Sequence, residues 1–176
     1  MNTTIKTEYF ERQHPLRIYP DPVLRRTALP VEEVTKSARR FLRGMARMMY
    51  YREGIGMAAT QIGLRRRMIV ADIGEGLLSL INPEILDRRG ESSMLEGCLS
   101  LPEVGVHVPR SESIVVHGLD SKGQELTQTI SGLMARVIQH EIDHLDGVLI
   151  IDYGPAEQIG KSETSSQSLR HAGQTI

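Results

Sequence analysis

Residues 139–147, "QHEIDHLDG", have types and a spacing that suit metal chemistry. His140 and His144 stand four positions apart, and on a helix residues at that spacing face the same way with Cβ atoms ~5–6 Å apart. Two imidazoles so placed can bind one metal ion. Glu141 lies about 100° further round the helix, where its carboxylate can reach a water at the metal and act as a general base. The alternative is an exposed histidine pair on an ordinary charged helix.

The residues before this stretch favour the metal site. Leu133, Val137, His140 and His144 follow the i, i+4, i+7 and i+11 pattern of one helix face. Imidazoles that share a face with apolar side chains turn inward, where each needs a polar partner. One metal ion would serve both.

Two ligands make a weak site, so a third must come from elsewhere in the chain. The best candidate is Cys98, which lies in "LEGCLSLPE", where glycine and proline indicate irregular backbone near strands. A thiolate and two imidazoles leave one open position, the pattern of a catalytic site. A lone cysteine is otherwise usually an inert core residue. The other candidates are a carboxylate or one of the remaining histidines, His14, His107, His117 and His171.

A third stretch, "GIGMAATQIG" at 54–63, combines backbone freedom with one useful side chain. Gly54 and Gly56 allow a close approach of the backbone. They follow a predicted helix rather than a strand, so a dinucleotide-binding fingerprint is excluded. Gln61 offers both a hydrogen-bond donor and an acceptor. By itself it could equally be a surface glutamine.

The elements that must position these residues can be predicted from periodicity. An apolar stripe predicts a helix over 35–52, and the period changes again to helical at 131–147. Between them short runs rich in Val and Ile predict strands, with an edge or bulge at Pro83 and a hairpin turned by "DSKG". The run "VLIIDY" at 148–153 predicts a last strand.

Composition limits the class of protein. The chain has 176 residues, about 40% of them apolar, and a net charge of −1. The charge gives no reason to expect nucleic-acid binding, and no apolar run approaches the ~20 residues of a membrane span. The single cysteine excludes an internal disulfide, and the N-terminus has no signal-peptide pattern. We therefore expect a cytoplasmic protein with one domain at 1–153 and a polar, mobile tail at 154–176.

The three motifs together resemble those of the bacterial and organellar peptide deformylases. "GIGMAATQ" at 54–61, "EGCLS" at 96–100 and "QHEIDHLDG" at 139–147 occur in the order and at the distances of that family. The resemblance extends over roughly 15–153. It implies an α+β fold in which antiparallel sheets surround the central helix that carries the histidines.

The resemblance also implies an activity and a metal. The family removes the formyl group from the N-terminal formylmethionine of newly made polypeptides and releases formate. Its metal would be one Fe²⁺ ion per chain, for which Zn²⁺ or another divalent ion can substitute. By the motifs, the ligands would be Cys98, His140 and His144.

The other motif residues receive roles in the same way. Glu141 would be the general base on the water at the metal. Gln61 and the backbone N–H of Leu99 would form the oxyanion hole. The expected partners are N-formylmethionyl peptides of nascent chains close to the ribosome, with no nucleic acid and no membrane.

Substrate recognition is expected in an apolar pocket beside the metal. Ile55, Gly56, Leu133 and Val137 are candidates by position, and simple core packing is the alternative for each. Two other functions stay open. One is hydrolysis of another N-formyl compound or of a peptide bond, although "EGCLS" argues against a zinc protease. The other is binding of formylated peptides without turnover.

Overall fold

Three α-helices and eight β-strands build the fold of residues 3–160, the part of the chain that this computed structural model describes. The helices are α1 (Thr3–Gln13), α2 (Lys36–Tyr51) and α3 (Gly132–Asp146). The strands are β1 (Gly56–Ala58), β2 (Met68–Ala71), β3 (Leu78–Arg89), β4 (Ser92–Cys98), β5 (Leu101–Arg110), β6 (Ser113–Leu119), β7 (Glu125–Ser131) and β8 (Glu157–Gln158). Short 3-10 helices span Pro22–Arg25, Ala59–Ile62 and Ile150–Asp152.

The strands form two antiparallel sheets. Five of them pair in the order β1-β2-β3-β6-β7, and the other three in the order β4-β5-β8. The predicted hairpin is confirmed as β6 and β7, and the pairing of β3 with β6 shifts register between Ile81 and Glu84, as Pro83 predicted. The α+β class is confirmed, with antiparallel sheets around the histidine helix.

Helix α3 lies in the middle of the molecule because most of its surface is apolar or hydrogen-bonded. Ala135, Ile138 and Leu145 are fully buried and pack with β2, β3 and β6. Gly147 ends the helix with a φ of 78°, a conformation that favours glycine. A Cβ there would also lie 2.8 Å from the backbone oxygen of Arg25. Position 147 therefore requires glycine both for its positive φ and for this close contact.

Helix α2 forms where the periodicity predicted it. Thr35 caps its first turn through a hydrogen bond from the N–H of Ala38, and Arg52 follows its last residue. The helix packs on β1 and β2 through one apolar face. Its methionines at 45, 48 and 49 are fully buried and belong to the core.

One prediction of secondary structure is wrong, and one helix was not predicted. The run "VLIIDY" is a 3-10 turn over Ile150–Asp152 rather than a strand, because the Asp152 carboxylate accepts a hydrogen bond from the N–H of Leu149 and closes a turn. Helix α1 was not predicted, because its sequence has no continuous apolar stripe. It packs on α2 through the ring of Phe10.

The boundary between domain and tail after Tyr153 stays a prediction, since residues 161–176 lie outside the described part. The first residues beyond that boundary pack on the domain: Glu157–Gln158 pairs with β5, and Ile159 is buried. In the described part of the chain, the helices are too short or too polar to cross a membrane.

Candidate metal centre

Cys98, His140 and His144 converge on one point. Each offers a ligand atom, and these atoms all lie within 4.8 Å of one another. The Cys98 Sγ lies 3.2 Å from Nε2 of His144, and the two imidazole rings are 5.0 Å apart at 69° to each other. Cys98 and His144 are buried and His140 is largely so.

The three side chains come from two rigid elements. Both histidines stand on α3, one turn apart. Cys98 ends β4, where the pairing with β5 shifts register after Gly97 and turns the chain towards α3. The hydroxyl of Thr60 donates to the backbone oxygen of His144 at 3.0 Å, which ties the segment after β1 to the same helix.

Glu96 holds the imidazole of His140 from behind. Its Oε2 lies 2.9 Å from Nδ1 of His140, and its carboxylate also accepts from the guanidinium groups of Arg110 and Arg136. Burial alone would raise the pKa of Glu96, but hydrogen bonds from His140 and Arg110 outweigh it and hold the pKa at about 2. A carboxylate on Nδ1 leaves Nε2 of His140 to face the centre, the usual arrangement behind a metal-binding histidine.

The two histidines differ in their surroundings. Burial would lower the pKa of His140, but hydrogen bonds to Cys98 and Glu96 raise it. Burial lowers the pKa of His144, and the nearby charge of His140 lowers it further. His144 therefore tends to the neutral form that binds a metal.

Glu141 stands beside the centre, and within residues 3–160 it has no ionic partner. Its side chain is buried, and Oε2 has no hydrogen-bond partner among residues 3–160. Burial raises its pKa to about 7. Gly56 makes room for this carboxylate, since a Cβ at position 56 would overlap Oε1. A carboxyl group with a pKa near neutral is suited to take up and release a proton.

Gln61 faces the centre with its amide nitrogen. Its Oε1 accepts from the N–H of Ala58 at 2.8 Å, which fixes the orientation of the amide. Its Nε2 therefore points towards Ser100 Oγ, 3.3 Å away, and Cys98 Sγ, 3.7 Å away. Gln61 is 2% exposed, so the alternative of a surface glutamine is wrong.

One cleft joins these residues. Of the ten site residues predicted from sequence, nine line it: Ile55, Gly56, Gln61, Cys98, Leu99, Leu133, Val137, His140 and Glu141. The tenth, His144, lies below the cleft and is 2% exposed. The apolar candidates Ile55, Leu133 and Val137 share the cleft with the polar ones, and each also belongs to or packs on the main core cluster.

Glu96 and Arg136 were missed by the sequence analysis, and both line the cleft. Arg136 is buried and donates to Glu96 Oε1 and to the backbone oxygens of Ser92 and Val108. A signal for it was present, because an arginine between Ala135 and Val137 on an apolar helix must find a buried acceptor. Glu96 lies in the quoted "EGCLS", two positions before the cysteine.

The residues at this centre fit a divalent metal ion. One thiol and two imidazoles are the donors that zinc and ferrous iron use in proteins. The His140 imidazole is oriented from behind by Glu96, and Glu141, which lines the same cleft, has in Oε2 a buried oxygen without a partner in residues 3–160. An α+β fold with such a centre in an open cleft defines a metal-dependent hydrolase.

Comparison with known proteins identifies the family. The model of the polypeptide deformylase family matches residues 13–159. A peptide deformylase of Syntrophomonas wolfei is 49% identical over 142 residues, which cover 81% of this chain and 93% of that protein. The chain belongs to the peptide deformylase family, as the three motifs indicated.

Solved structures agree with this assignment. The crystal structure of peptide deformylase from Thermotoga maritima superposes with a TM-score of 0.78 at 41% identity, covering 81% of this chain and 98% of that one. A peptide deformylase of Acinetobacter baumannii, crystallised with Met-Ala-Ser bound, superposes with a TM-score of 0.76 at 28% identity, covering 80% and 97%.

Proposed function

We propose that this protein removes the N-formyl group from the formylmethionine at the start of new polypeptides and releases formate. The observation that carries the proposal is the convergence on one cleft of one thiol, two imidazoles, an oriented amide and a buried carboxylate that has no ionic partner within residues 3–160. Family membership supports the reaction, and the Met-Ala-Ser bound to the Acinetobacter relative corresponds to a deformylated product.

Cys98, His140 and His144 would hold the metal, for which we propose Fe²⁺ as the native ion and Zn²⁺ as a substitute. When bound, a divalent ion supplies Lewis-acid activation of the water and of the formyl oxygen. The thiolate suits both ions and makes the site sensitive to oxidation.

Glu141 is the proton carrier in this proposal. It accepts a proton from the attacking water and later donates it to the amine nitrogen as the carbon–nitrogen bond breaks. A pKa of about 7, raised by burial, lets the same carboxyl group do both near neutral pH. The room left by Gly56 allows this carboxylate to stand at the cleft.

The negative charge that develops on the formyl oxygen needs hydrogen-bond donors. The N–H of Ala58 donates to the oxygen of the Gln61 amide, so Nε2 is turned towards the centre, where it would exchange its present acceptors for the formyl oxygen. The backbone N–H of Leu99, next to Cys98, is the second donor in the proposal. Removing one such donor typically costs ~2.7–4 kcal/mol of barrier.

The methionine side chain is placed in the apolar part of the cleft, against Ile55, Leu133 and Val137. Gly56 lets the peptide backbone approach closely. Methionine suits such a pocket because it is unbranched and polarisable. Nascent chains are then the natural partners, since they carry this residue at their N-terminus.

One experiment tests the proposal. The protein is purified without oxygen, its metal content is measured, and formate release is followed from formyl-Met-Ala-Ser. We expect about one divalent ion per chain and formate release that stops on chelation. Unblocked Met-Ala-Ser is the control and should stay intact. Loss of Met from that control, or no formate from a metal-loaded sample, would overturn the proposal.

A further inference from the structure

One face of helix α2 is strongly basic. Lys36, Arg40, Arg43 and Arg47 recur at i, i+4, i+7 and i+11, so they share one side of the helix. Arg39 stands next to them, and the 16 residues of the helix include no Asp or Glu. We call the four residues at 36, 40, 43 and 47 the basic face.

The orientation of this face is fixed by the rest of the helix. The opposite side of α2 is buried in the core through residues such as Leu42, Met45 and Met49. Helix α1 covers a flank of α2 by placing the ring of Phe10 on Gly44. Lys36, Arg40 and Arg43 nevertheless remain exposed, and Arg47 is half-buried.

In the described part of the chain, no carboxylate pairs with the charges of the basic face. Within residues 3–160 none of its four members forms an ion pair, and the buried Nε of Arg47 has no hydrogen-bond partner. Elsewhere in residues 3–160, ion pairs join five exposed or half-buried arginines to carboxylates, in Arg17–Asp21, Arg25–Asp152, Arg52–Glu11, Arg67–Asp146 and Arg89–Asp87. The exposed arginines at 12, 26, 65, 66 and 88 form no ion pair in this range either, but they do not share one helix. Four such cations on one side of a single helix set this face apart as a surface for an external anion.

We propose that the basic face of α2 binds the phosphate backbone of RNA. Its four cations span 11 residues, or about 16 Å of helix, a length over which a nucleic-acid duplex presents several phosphates. Three of the four are arginines, whose planar guanidinium groups pair with phosphate through two hydrogen bonds.

An anionic membrane fits this face less well. A helix that lies on a membrane inserts an apolar side into the lipid, and the apolar side of α2 is already buried in the protein core. The proposed substrate also favours RNA, and this part of the inference rests on the proposed function. New polypeptides emerge from the ribosome, whose surface is rich in RNA. Helix α2 ends three residues before Gly54, which lines the cleft, so the basic face and the site share one continuous segment.

The net charge of the whole chain concealed this surface. A value of −1 argued against nucleic-acid binding, but it averages over the molecule. Helix α2 alone carries five positive charges, so the remainder of the chain is acidic. Electrostatic attraction of a polyanion depends on the local potential of a surface rather than on the total charge.

The test compares two double variants of the full chain with equal changes in net charge. Arg40→Glu/Arg43→Glu reverses two charges of the basic face, and Arg26→Glu/Arg89→Glu reverses two exposed arginines elsewhere. Binding to a labelled RNA hairpin and to bacterial ribosomes is measured as a function of salt concentration. We expect the first variant to bind at least about tenfold more weakly at 0.1 M salt, with a salt slope smaller by about 1.4–1.8. The control should bind like the wild type.

Formate release from formyl-Met-Ala-Ser is measured on the same samples and serves as the check of folding. It should be unchanged in both variants, because the basic face does not line the cleft. Arg40→Lys/Arg43→Lys should restore RNA binding. Normal formate release from a wild-type protein that does not bind RNA would refute the proposed surface and leave the proposed function standing. Normal formate release with equal RNA binding by the two double variants would have the same meaning. If the hairpin binds as expected and no formate is released, the proposed function fails instead. Equal binding to phosphatidylglycerol vesicles or to polyglutamate would refute the assignment to RNA.

Discussion

The backbone of Gly56 lies directly against the carboxylate of Glu141. A Cβ at position 56 would overlap Oε1 and would also lie 2.8 Å from a methyl carbon of Val137. Gly56→Ala should therefore displace the carboxylate while leaving the three metal ligands in place. We expect kcat/KM for formyl-Met-Ala-Ser to fall about 10²-fold, the effect typical of a 1 Å misplacement, with unchanged metal content.

Gly154→Ala is the matched control for that substitution. The nearest atom to a Cβ at 154 is 3.9 Å away, an ordinary contact, so this variant should keep full activity. Normal activity of Gly56→Ala, with metal content equal to that of the control, would show that the close approach does not position Glu141.

Replacement of the buried carboxylate tests its role as the proton carrier. Glu141→Ala should retain the metal, because the ligand set stays intact, and should lose roughly 10²–10⁴-fold in kcat. Metal analysis and formate release on the same sample measure both. Glu125→Ala, at an exposed strand position, is the control. An active Glu141→Ala variant would remove this residue from the mechanism.

Cys98→Ser tests the third ligand. A hydroxyl is a much poorer ligand than a thiolate for zinc or ferrous iron, so the variant should be purified with less than one metal ion per chain. The measurement is metal content after anaerobic purification and dialysis, beside wild-type protein treated identically. A fully loaded variant would mean that another side chain completes the site.

Glu96 supports both the fold and the centre. Glu96→Ala would leave the buried guanidinium group of Arg136 without a carboxylate and that of Arg110 with Asp143 alone, a loss that costs about 3–5 kcal/mol. It would also remove the acceptor behind His140, and metal affinity should fall roughly 10–100-fold. Urea unfolding and competition with a chelating dye measure the two effects.

The control for Glu96→Ala is an exposed ion pair. Asp87→Ala breaks the pair with Arg89, whose side chains are 45% and 79% exposed, and should change the free energy of unfolding by at most about 1 kcal/mol. If Glu96→Ala were no more destabilising than this, the buried network would not contribute to stability as its geometry indicates.

The local patterns in the sequence were sufficient for much of the site. The spacing of His140 and His144 on an apolar stripe predicted two inward imidazoles, and both are found on α3 beside Cys98. The cysteine, however, was only the best of several candidates until the motifs were taken together. Periodicity indicates which residues share a helix face. It does not indicate where the β4–β5 hairpin, which carries Cys98, packs relative to that helix, because this position depends on tertiary packing.

The features that sequence could not supply depend on contacts between distant residues. The orientation of the Gln61 amide follows from the N–H of Ala58, and the position of Glu96 follows from two arginines that lie 14 and 40 residues away. The run "VLIIDY" was mistaken for a strand because a short apolar run has no diagnostic period. Its turn is closed by Asp152, whose role depends on the N–H of Leu149.

Helix α1 lies almost wholly outside the residues matched by the family model, and one glycine of α2 accommodates it. A Cβ at Gly44 would overlap the ring of Phe10. By helix propensity alone, Gly44→Ala should stabilise α2 by about 1 kcal/mol. Because its methyl group would overlap the ring of Phe10, Gly44→Ala should instead lower the free energy of unfolding by about 1–3 kcal/mol. In a Phe10→Ala background the overlap is gone, so the same substitution should become stabilising.

Urea unfolding of the four proteins in this double-mutant cycle measures the coupling between positions 10 and 44. The same effect of Gly44→Ala in both backgrounds would show that α1 does not dock on α2 through this contact.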